Sequence, residues 1–564
     1  MLAGVRLLYH GNDRLLGRKS VHLMKKFFSI ILILLLVKSV SAQDHLNQYL
    51  TKPDHFIAKG YDSHVELRWP DLKNAVSYRL YAATDSVYQL RTETKNNYYL
   101  DFVTDLGRNI SLKYKLVPVN RKGKELTSET VEANASIHDF TDEELMNMVQ
   151  KYTFRYFWNF GRADLGMARE RDNHPDGDIV TIGGSGFGVM ALMVGVKRGW
   201  ITREQAVDRL LNLTKFLKTT DRFHGMWAHW YNADTKKAYH FSKYDDGGDI
   251  VESSFMMEGL LAARQFFNHS TPKEKFLQQQ ITDLWRTMDW NFYTRGQDVL
   301  YWHWSPDYGW KMNHPIHGYN ECLITYILAA SSPDHAIAPE VYHKGWAGNN
   351  WDTFANNSTY YGMMLPLGNR KWMGGPLFFA HYSYMGLNPK GLRDRYANYW
   401  QQNRRQTLIN RAYCIDNPYG WKGYGADFWG LTAGDKVPDG YTAHAPGFQR
   451  DLGTITPTAA LSSMPYTPEE SMKVLKNLYR NYGKYLFGPF GFYDGINLSV
   501  GNKPENHVRK TYLAIDQGPI VVMIENYRSG LVWNSFMKNE DVLRGLKRLD
   551  FTIDNKPIQV NETK

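Results

Sequence analysis

Three acids in the stretch Tyr244-Asp-Asp-Gly-Gly-Asp-Ile-Val-Glu252, namely Asp245, Asp249 and Glu252, stand four and three residues apart ahead of the apolar run Phe255 to Leu261. If a helix begins at Ile250, they project from one face at its N-terminus. Carboxylates gathered against their own repulsion face a polyol, a metal ion or a proton-transfer task. The plain alternative is capping, with Asp249 as N-cap and Glu252 at the third helical position. Capping leaves Asp245 and Asp246, beside Gly247-Gly248, unexplained. Trp and Tyr crowd the flanking sequence, in Trp227-Ala-His-Trp230 and Tyr301-Trp-His-Trp304, and this favours a sugar as the ligand.

Two further acids stand at helix starts. Glu321 closes His317-Gly-Tyr-Asn-Glu321, after the aromatic stretch Tyr301 to Trp310 and before an apolar run. It either complements the helix dipole or sits on a pocket wall. Aromatic surroundings would hold its proton to higher pH, as a general acid requires. Asp516, in Leu513-Ala-Ile-Asp516-Gln-Gly-Pro, is expected on a loop at a helix start, again with capping as the alternative; Asp494 in Gly491-Phe-Tyr-Asp-Gly495 is a weaker rival.

Other chemistries fit less well. His224 and His229 with Asp221, or His314 with His317, match neither HExxH nor another closed metal site, so no metal and no cofactor is expected. His224 and His317 are candidates for sugar-hydroxyl contacts. Gly183-Gly-Ser-Gly-Phe-Gly188 lacks the lysine of a P-loop, and close backbone packing or sugar contact is expected there. No G-x-S-x-G elbow lies between a strand and a helix. Cys322 and Cys414 could form one disulfide, and Cys322, opening a core helix, is a poor nucleophile.

The elements that carry these residues fall into two blocks. Residues 43–135 read as a β-sandwich: Val65, Leu67 and Trp69 alternate with polar residues, as do Ser77-Tyr-Arg-Leu-Tyr81 and Lys113-Tyr-Lys-Leu-Val117. The spacing of Trp69, Tyr78 and Tyr114 resembles a fibronectin type III module. From 136 to 564 the period is helical. Thr141-Asp-Glu-Glu144 is a capping box, and helices are expected at 188–198, 203–218, 253–267, 273–289, 321–331, 391–410, 468–482 and 518–532. Long loops rich in Gly, Trp, His and Asp separate them, which suggests a helical toroid.

The N-terminus reads as an export signal over 24–42, with Lys25-Lys26, the apolar Phe27 to Val37 and Val40-Ser41-Ala42; Met24 reads as the start and 1–23 as a misassigned upstream extension. That apolar run is too short to span a bilayer, so a mature chain free of stable membrane insertion is expected, periplasmic first and secreted second. Of the net charge of +10, the first 42 residues supply +6, leaving +4 without a Lys/Arg cluster and arguing against a nucleic-acid partner.

The motifs Phe154-Arg-Tyr-Phe-Trp158, Gly183-Gly-Ser-Gly-Phe-Gly188, Asp249-Ile-Val-Glu252, Tyr319-Asn-Glu321 and Gly374-Gly-Pro-Leu-Phe-Phe-Ala-His-Tyr382 occur in order. Trp429-Gly-Leu-Thr432, Tyr441-Thr-Ala-His-Ala-Pro446 and Asp516-Gln-Gly-Pro519 follow. Together, over about residues 140–535, they resemble the bacterial glycoamylase-like family, glycoside hydrolase family 144, whose studied members act on β-1,2-glucans. The resemblance implies a mainly α protein with an (α/α)6 barrel that hydrolyses β-1,2-glucosidic bonds with inversion and without a metal. It implies Glu321 as general acid and Asp516 as general base, acting directly or through a substrate hydroxyl. Asp245, Asp249 and Glu252 would bind hydroxyls or tune the acid. Trp227, Trp230, Trp304 and Trp346 either stack on sugar faces or belong to the core. The N-terminal sandwich would narrow one end of the cleft and favour exo release of sophorose. The rivals are another (α/α)6 glycosidase, a lyase using Arg169, Arg171 and Arg222, and a non-catalytic glycan-binding protein.

Overall fold

A computed structural model describes residues 46–348 and 354–560; the expected signal at 24–42 and the extension at 1–23 lie outside these residues. The N-terminal part holds seven antiparallel strands: β1 (Ile57–Gly60), β2 (His64–Arg68), β3 (Ser77–Ala83), β4 (Gln89–Thr94), β5 (Tyr98–Phe102), β6 (Ser111–Val119) and β7 (Val131–Ser136). They form one sheet ordered β1-β2-β5 and another ordered β4-β3-β6-β7. Both sheets contribute to a core of their own, built on Val65, Leu67, Trp69, Tyr78, Leu80, Tyr114 and Leu116. The alternation in β2 departs from apolar-in, polar-out, because His64 and Glu66 are buried as well. Their face meets the helical part of the chain. There His64 bonds Tyr479 Oη (2.6 Å) and Tyr152 Oη (2.9 Å), while Arg155 donates to both oxygens of Glu66 at 3.0 and 3.1 Å.

The helical part opens with α1 (Asp142–Arg155), whose capping box of Thr141 and Glu144 is present as expected. It continues with α2 (Ile182–Lys197), α3 (Arg203–Thr219), α4 (Ile250–Phe266), α5 (Pro272–Arg286), α6 (Leu323–Ser331), α7 (Tyr399–Asp416), α8 (Pro457–Leu461), α9 (Pro468–Leu486), α10 (Ala514–Arg528), α11 (Leu531–Phe536) and α12 (Glu540–Arg548). Helices buried along nearly their whole length (α2, α4, α6, α10) are interleaved with amphipathic ones such as α3, α5 and α9. That is the pattern of inner helices shielded by outer ones.

α2 packs along both α4 and α10. The glycine-rich run at its start makes this approach close: a Cβ on Gly186 would stand 2.2 Å from the Phe255 carbonyl, and one on Gly183 would meet the Glu252 carboxylate at 2.5 Å. The glycines thus let helix α2 sit against the acid-bearing helix, the backbone-packing alternative of the two readings. Helix α7 begins at Tyr399, where Asn398 caps it, eight residues later than the apolar period suggested. Both cysteines are buried and free. Among the described residues no helix is long and apolar enough to cross a membrane.

Candidate active site

The acid motif folds as a two-residue strand, Gly248–Asp249, running antiparallel to His303–Trp304 and turning directly into α4. Asp249 is its N-cap: one oxygen accepts from the Val251 and Glu252 amides, each at 2.9 Å. The other takes Trp302 Nε1 at 3.1 Å and lies 3.1 Å from His229 Nδ1. Capping and site are therefore the same side chain. Glu252 does not complete a capping box; it turns across to α2 and accepts from the Gly183 amide at 2.7 Å. Asp245 lies 3.2 Å from His303 Nε2.

The electrostatics separate these groups. Burial pulls the His229 imidazole down, but Glu252, Asp249 and Asp245 outweigh it and push it up to about 10, so it is a cation. Burial raises Asp249, yet His229 and the helix amides more than offset it and hold the carboxylate below its ordinary range. Asp245 is pushed up to about 7 by burial and then by Asp249. Ligand atoms of His229, Asp245 and Asp249 lie within 4.8 Å of one another, close enough for a metal ion.

Glu321 occupies the turn before α6, with its main-chain carbonyl bonded by Ser383 Oγ. Burial pushes its carboxyl up to about 7, and Glu252 and Asp249 add to the rise; no cation opposes them. It forms the partition between two cavities. The first, about 460 Å³, is lined by Glu170, Arg171, His229, Trp230, Glu252, Trp302, Tyr382 and Tyr441 among others. The second, about 270 Å³, shares Glu321 and Phe378 with it and continues to His317, Asn320, Trp372 and Arg450.

Asp516 lies inside the first turn of α10, not on a preceding loop, because that helix starts four residues earlier than the pattern suggested and tolerates Pro519 within it. Its neighbours Leu513 and Ile515 line the first cavity. Its own carboxyl is buried and in hydrogen-bond contact with Asp494; burial and the neighbouring Asp494 and Asp435 raise it well above its ordinary range. Asp494, pushed up to about 8 by burial and then by Asp435, accepts the Asp435 amide. Two carboxyls in that contact share a proton. Asp435 is held in turn by Thr511 Oγ1 (2.8 Å) and Arg171 (3.2 Å).

Of the residues named from sequence, Glu252, Trp230 and Glu321 line the first cavity, His317 lines the second, and Asp249 and Asp245 stand directly behind them. Four expectations are corrected. Trp227 and Trp346 are fully buried core residues, the former donating its indole N–H to the Leu217 carbonyl at 3.0 Å, and neither has a free ring face. His224 and Trp304 belong to an aromatic cluster with Phe292, whose ring stacks on His224 at 3.4 Å, and they line neither cavity. Among the described residues, none of the sandwich lines either cavity. Sequence reasoning passed over Trp302, Glu170, Tyr382 and Tyr441 as site residues, and named Arg171 only for the rival lyase. Trp302 was within reach, since it alternates with His303 in a stretch already singled out.

Residues 313–540 match the family model described as "Putative glucoamylase". Over 516 residues the chain is 42% identical to the exo beta-1,2-glucooligosaccharide sophorohydrolase (non-reducing end) of Parabacteroides distasonis, covering 87% of this chain and 70% of that protein. The crystal structure of a beta-1,2-glucanase from Parabacteroides distasonis superposes with a TM-score of 0.79 at 41% identity, covering 88% of this chain and 73% of that one. An endo-beta-1,2-glucanase from Chitinophaga pinensis, in complex with sophorotriose and glucose, gives 0.69 at 51% identity, covering 73% of this chain and 99% of that one. The ordered motifs and these likenesses agree: the chain belongs to the glycoamylase-like family, glycoside hydrolase family 144.

Proposed function

We propose that this protein hydrolyses β-1,2-glucan chains with inversion, Glu321 acting as general acid and Asp516 as general base. The observation that carries this is Glu321 itself: a carboxyl held protonated to about 7, at the junction of two cavities, with every other lining carboxylate on one side of it. Such an acid can protonate the bridging oxygen near neutral pH as the bond breaks. The water attacks from the opposite face, and its proton passes to Asp516, directly or through a substrate hydroxyl. Asp494, in hydrogen-bond contact with Asp516, can donate to it once Asp516 is ionised.

The helices form an (α/α)6 barrel in this reading, and residues 43–135 a fibronectin type III-like sandwich. The alternation of buried and amphipathic helices supports the first, and the two sheets with their separate core the second. Release of sophorose from the non-reducing end is the mode proposed. The 516 residues shared with the sophorohydrolase exceed what residues 137–564 alone can supply, so that likeness reaches into the N-terminal sheets. The N-terminal segment read as an export signal supports a periplasmic place for the mature enzyme, with secretion as the second choice.

The test is a time course on linear β-1,2-glucan, with products separated by chromatography and their anomers followed by NMR. Sophorose alone from the first minutes, appearing as the α-anomer, is expected. A ladder of oligomers would overturn the exo mode, a β-anomer the inversion, and binding without new reducing ends the enzyme reading altogether.

A further inference from the structure

The two cavities that meet at Glu321 differ in chemistry. Groups able to take a proton from water stand on the side of the first: Glu170 and Glu252 line it, and Asp516 sits on the helical turn whose neighbours Leu513 and Ile515 line it. The second has no carboxylate in its lining apart from Glu321, and it has an arginine. The Arg450 guanidinium lies 4.5 Å over the Trp372 ring, and among the described residues its side chain has no ion pair and no hydrogen-bond partner. The arginine that lines the first cavity is engaged differently: Arg171 pairs with Glu170 and Asp435. Arg450 is thus a planar five-donor fork, fixed by an aromatic platform, facing a cavity with its donors unused.

In glycoside hydrolysis the acid gives its proton to the bridging oxygen, so it marks the boundary between the sugar attacked by water and the sugar that leaves. The base acts on water at the opposite face of the attacked ring and therefore belongs to that ring's side. The first cavity then takes the attacked end of the chain and the second takes the leaving part. We infer that the second cavity is the leaving-group subsite and that Arg450, held over Trp372, is its specificity-determining residue, bonding the hydroxyls of the first glucosyl unit beyond the cut. The Phe379 ring forms an apolar wall there, and Asn369, His317 and Asn320 complete a polar rim suited to a neutral sugar. This inference rests on the functional reading above.

The test compares two substrates that differ only beyond the cut: a linear β-1,2-linked glucopentaose and β-sophorosyl fluoride, whose fluoride needs no sugar subsite. Arg450→Ala is expected to lower kcat/KM on the pentaose about 10- to 100-fold, the range for a lost hydrogen bond to a charged donor, and to leave the fluoride within about twofold. Arg450→Lys keeps the charge but not the fork and should recover the pentaose rate only in part. Trp372→Phe keeps a ring under Arg450 and should cost less than Arg450→Ala, while melting temperatures confirm that each variant folds. Equal losses on both substrates, or no loss on the pentaose, would overturn the subsite and leave the hydrolase standing. A wild-type enzyme inert on both would sink the functional reading and this inference with it.

Discussion

Replacing Glu321 by Gln removes one carboxyl that two independent measurements should see at the same pH. Its carboxyl is raised from an ordinary value of 4.5 to about 7 by burial. As pH rises through 4.5 the unfolded chain loses this proton while the folded protein keeps it, so the folded state binds more protons and its stability falls with pH. The loss is complete once pH passes about 7. At 1.36 kcal/mol per pH unit the penalty is about 3 kcal/mol. With an unfolding entropy of roughly 2.1 cal/mol/K per residue over 564 residues, that is about 3 °C in melting temperature. Wild type and Glu321→Gln should therefore melt together near pH 4.5 and diverge to about 3 °C at pH 8, with the glutamine variant the more stable. Other raised carboxyls, such as Asp172 and Asp245, act on both proteins and largely cancel in the difference. The rate should fall about a hundred- to ten-thousand-fold in the variant, and the wild-type kcat/KM should decline above pH 7. Differential scanning fluorimetry from pH 4 to 8.5 and a pH–rate profile supply both curves. A melting difference that is flat across this range, or a basic limb well away from 7, would refute the assignment of the proton to Glu321.

Asp249→Ala should lose a helix cap, about 1 kcal/mol, together with the nearest partner of His229, which Glu252 and Asp245 still face; urea unfolding showing no loss at all would contradict the pairing described. Trp227→Ala should cost about 3–5 kcal/mol as a core truncation, while Trp302→Phe should spare stability and lower kcat/KM about tenfold by freeing Asp249 of its 3.1 Å bond. The reverse pattern in melting and kinetic data would exchange their roles. Glu66→Gln leaves the Arg155 cation buried without its counter-charge. Calorimetry should then show the N-terminal sheets separating from the helical part as an earlier transition, where wild type melts as one unit.

Local rules were enough wherever one element decides the outcome. Thr141 and Glu144 form their box because four consecutive residues suffice, and Val65, Leu67 and Trp69 point inward because the strand period is two. The same period says nothing of what covers the other face, which is why His64 and Glu66 read as solvent-facing yet meet Tyr152 and Arg155. Tryptophans show the limit most clearly. Trp227 and Trp230 share one tetrapeptide; the first fills the core and the second lines a cavity. Only the packing of the segment that carries them decides between burial and sugar contact. Arg171 and Asp435 were beyond reach for another reason, since 264 residues separate partners that the fold brings to 3.2 Å.

The carboxylates of this site also show how one fold assigns different protonation states to one functional group. Asp249 and Glu321 are both enclosed, and burial alone would raise both. Asp249 has two helix amides, an indole N–H and the His229 cation, four partners that all favour its charge. Glu321 has only its own main-chain amide against the effect of burial, and the neighbouring Glu252 and Asp249 push its proton on more firmly. Asp249 therefore acts on the acid across the cavity without exchanging a proton itself: neutralising it while keeping its cap, as Asp249→Asn does, should lower the Glu321 value and move the basic limb of the pH–rate profile downward. An unmoved limb would leave burial and Glu252 as the causes. The same variant should also release the His229 proton at lower pH, because the pair titrates together, and an NMR titration of that imidazole reads the coupling directly.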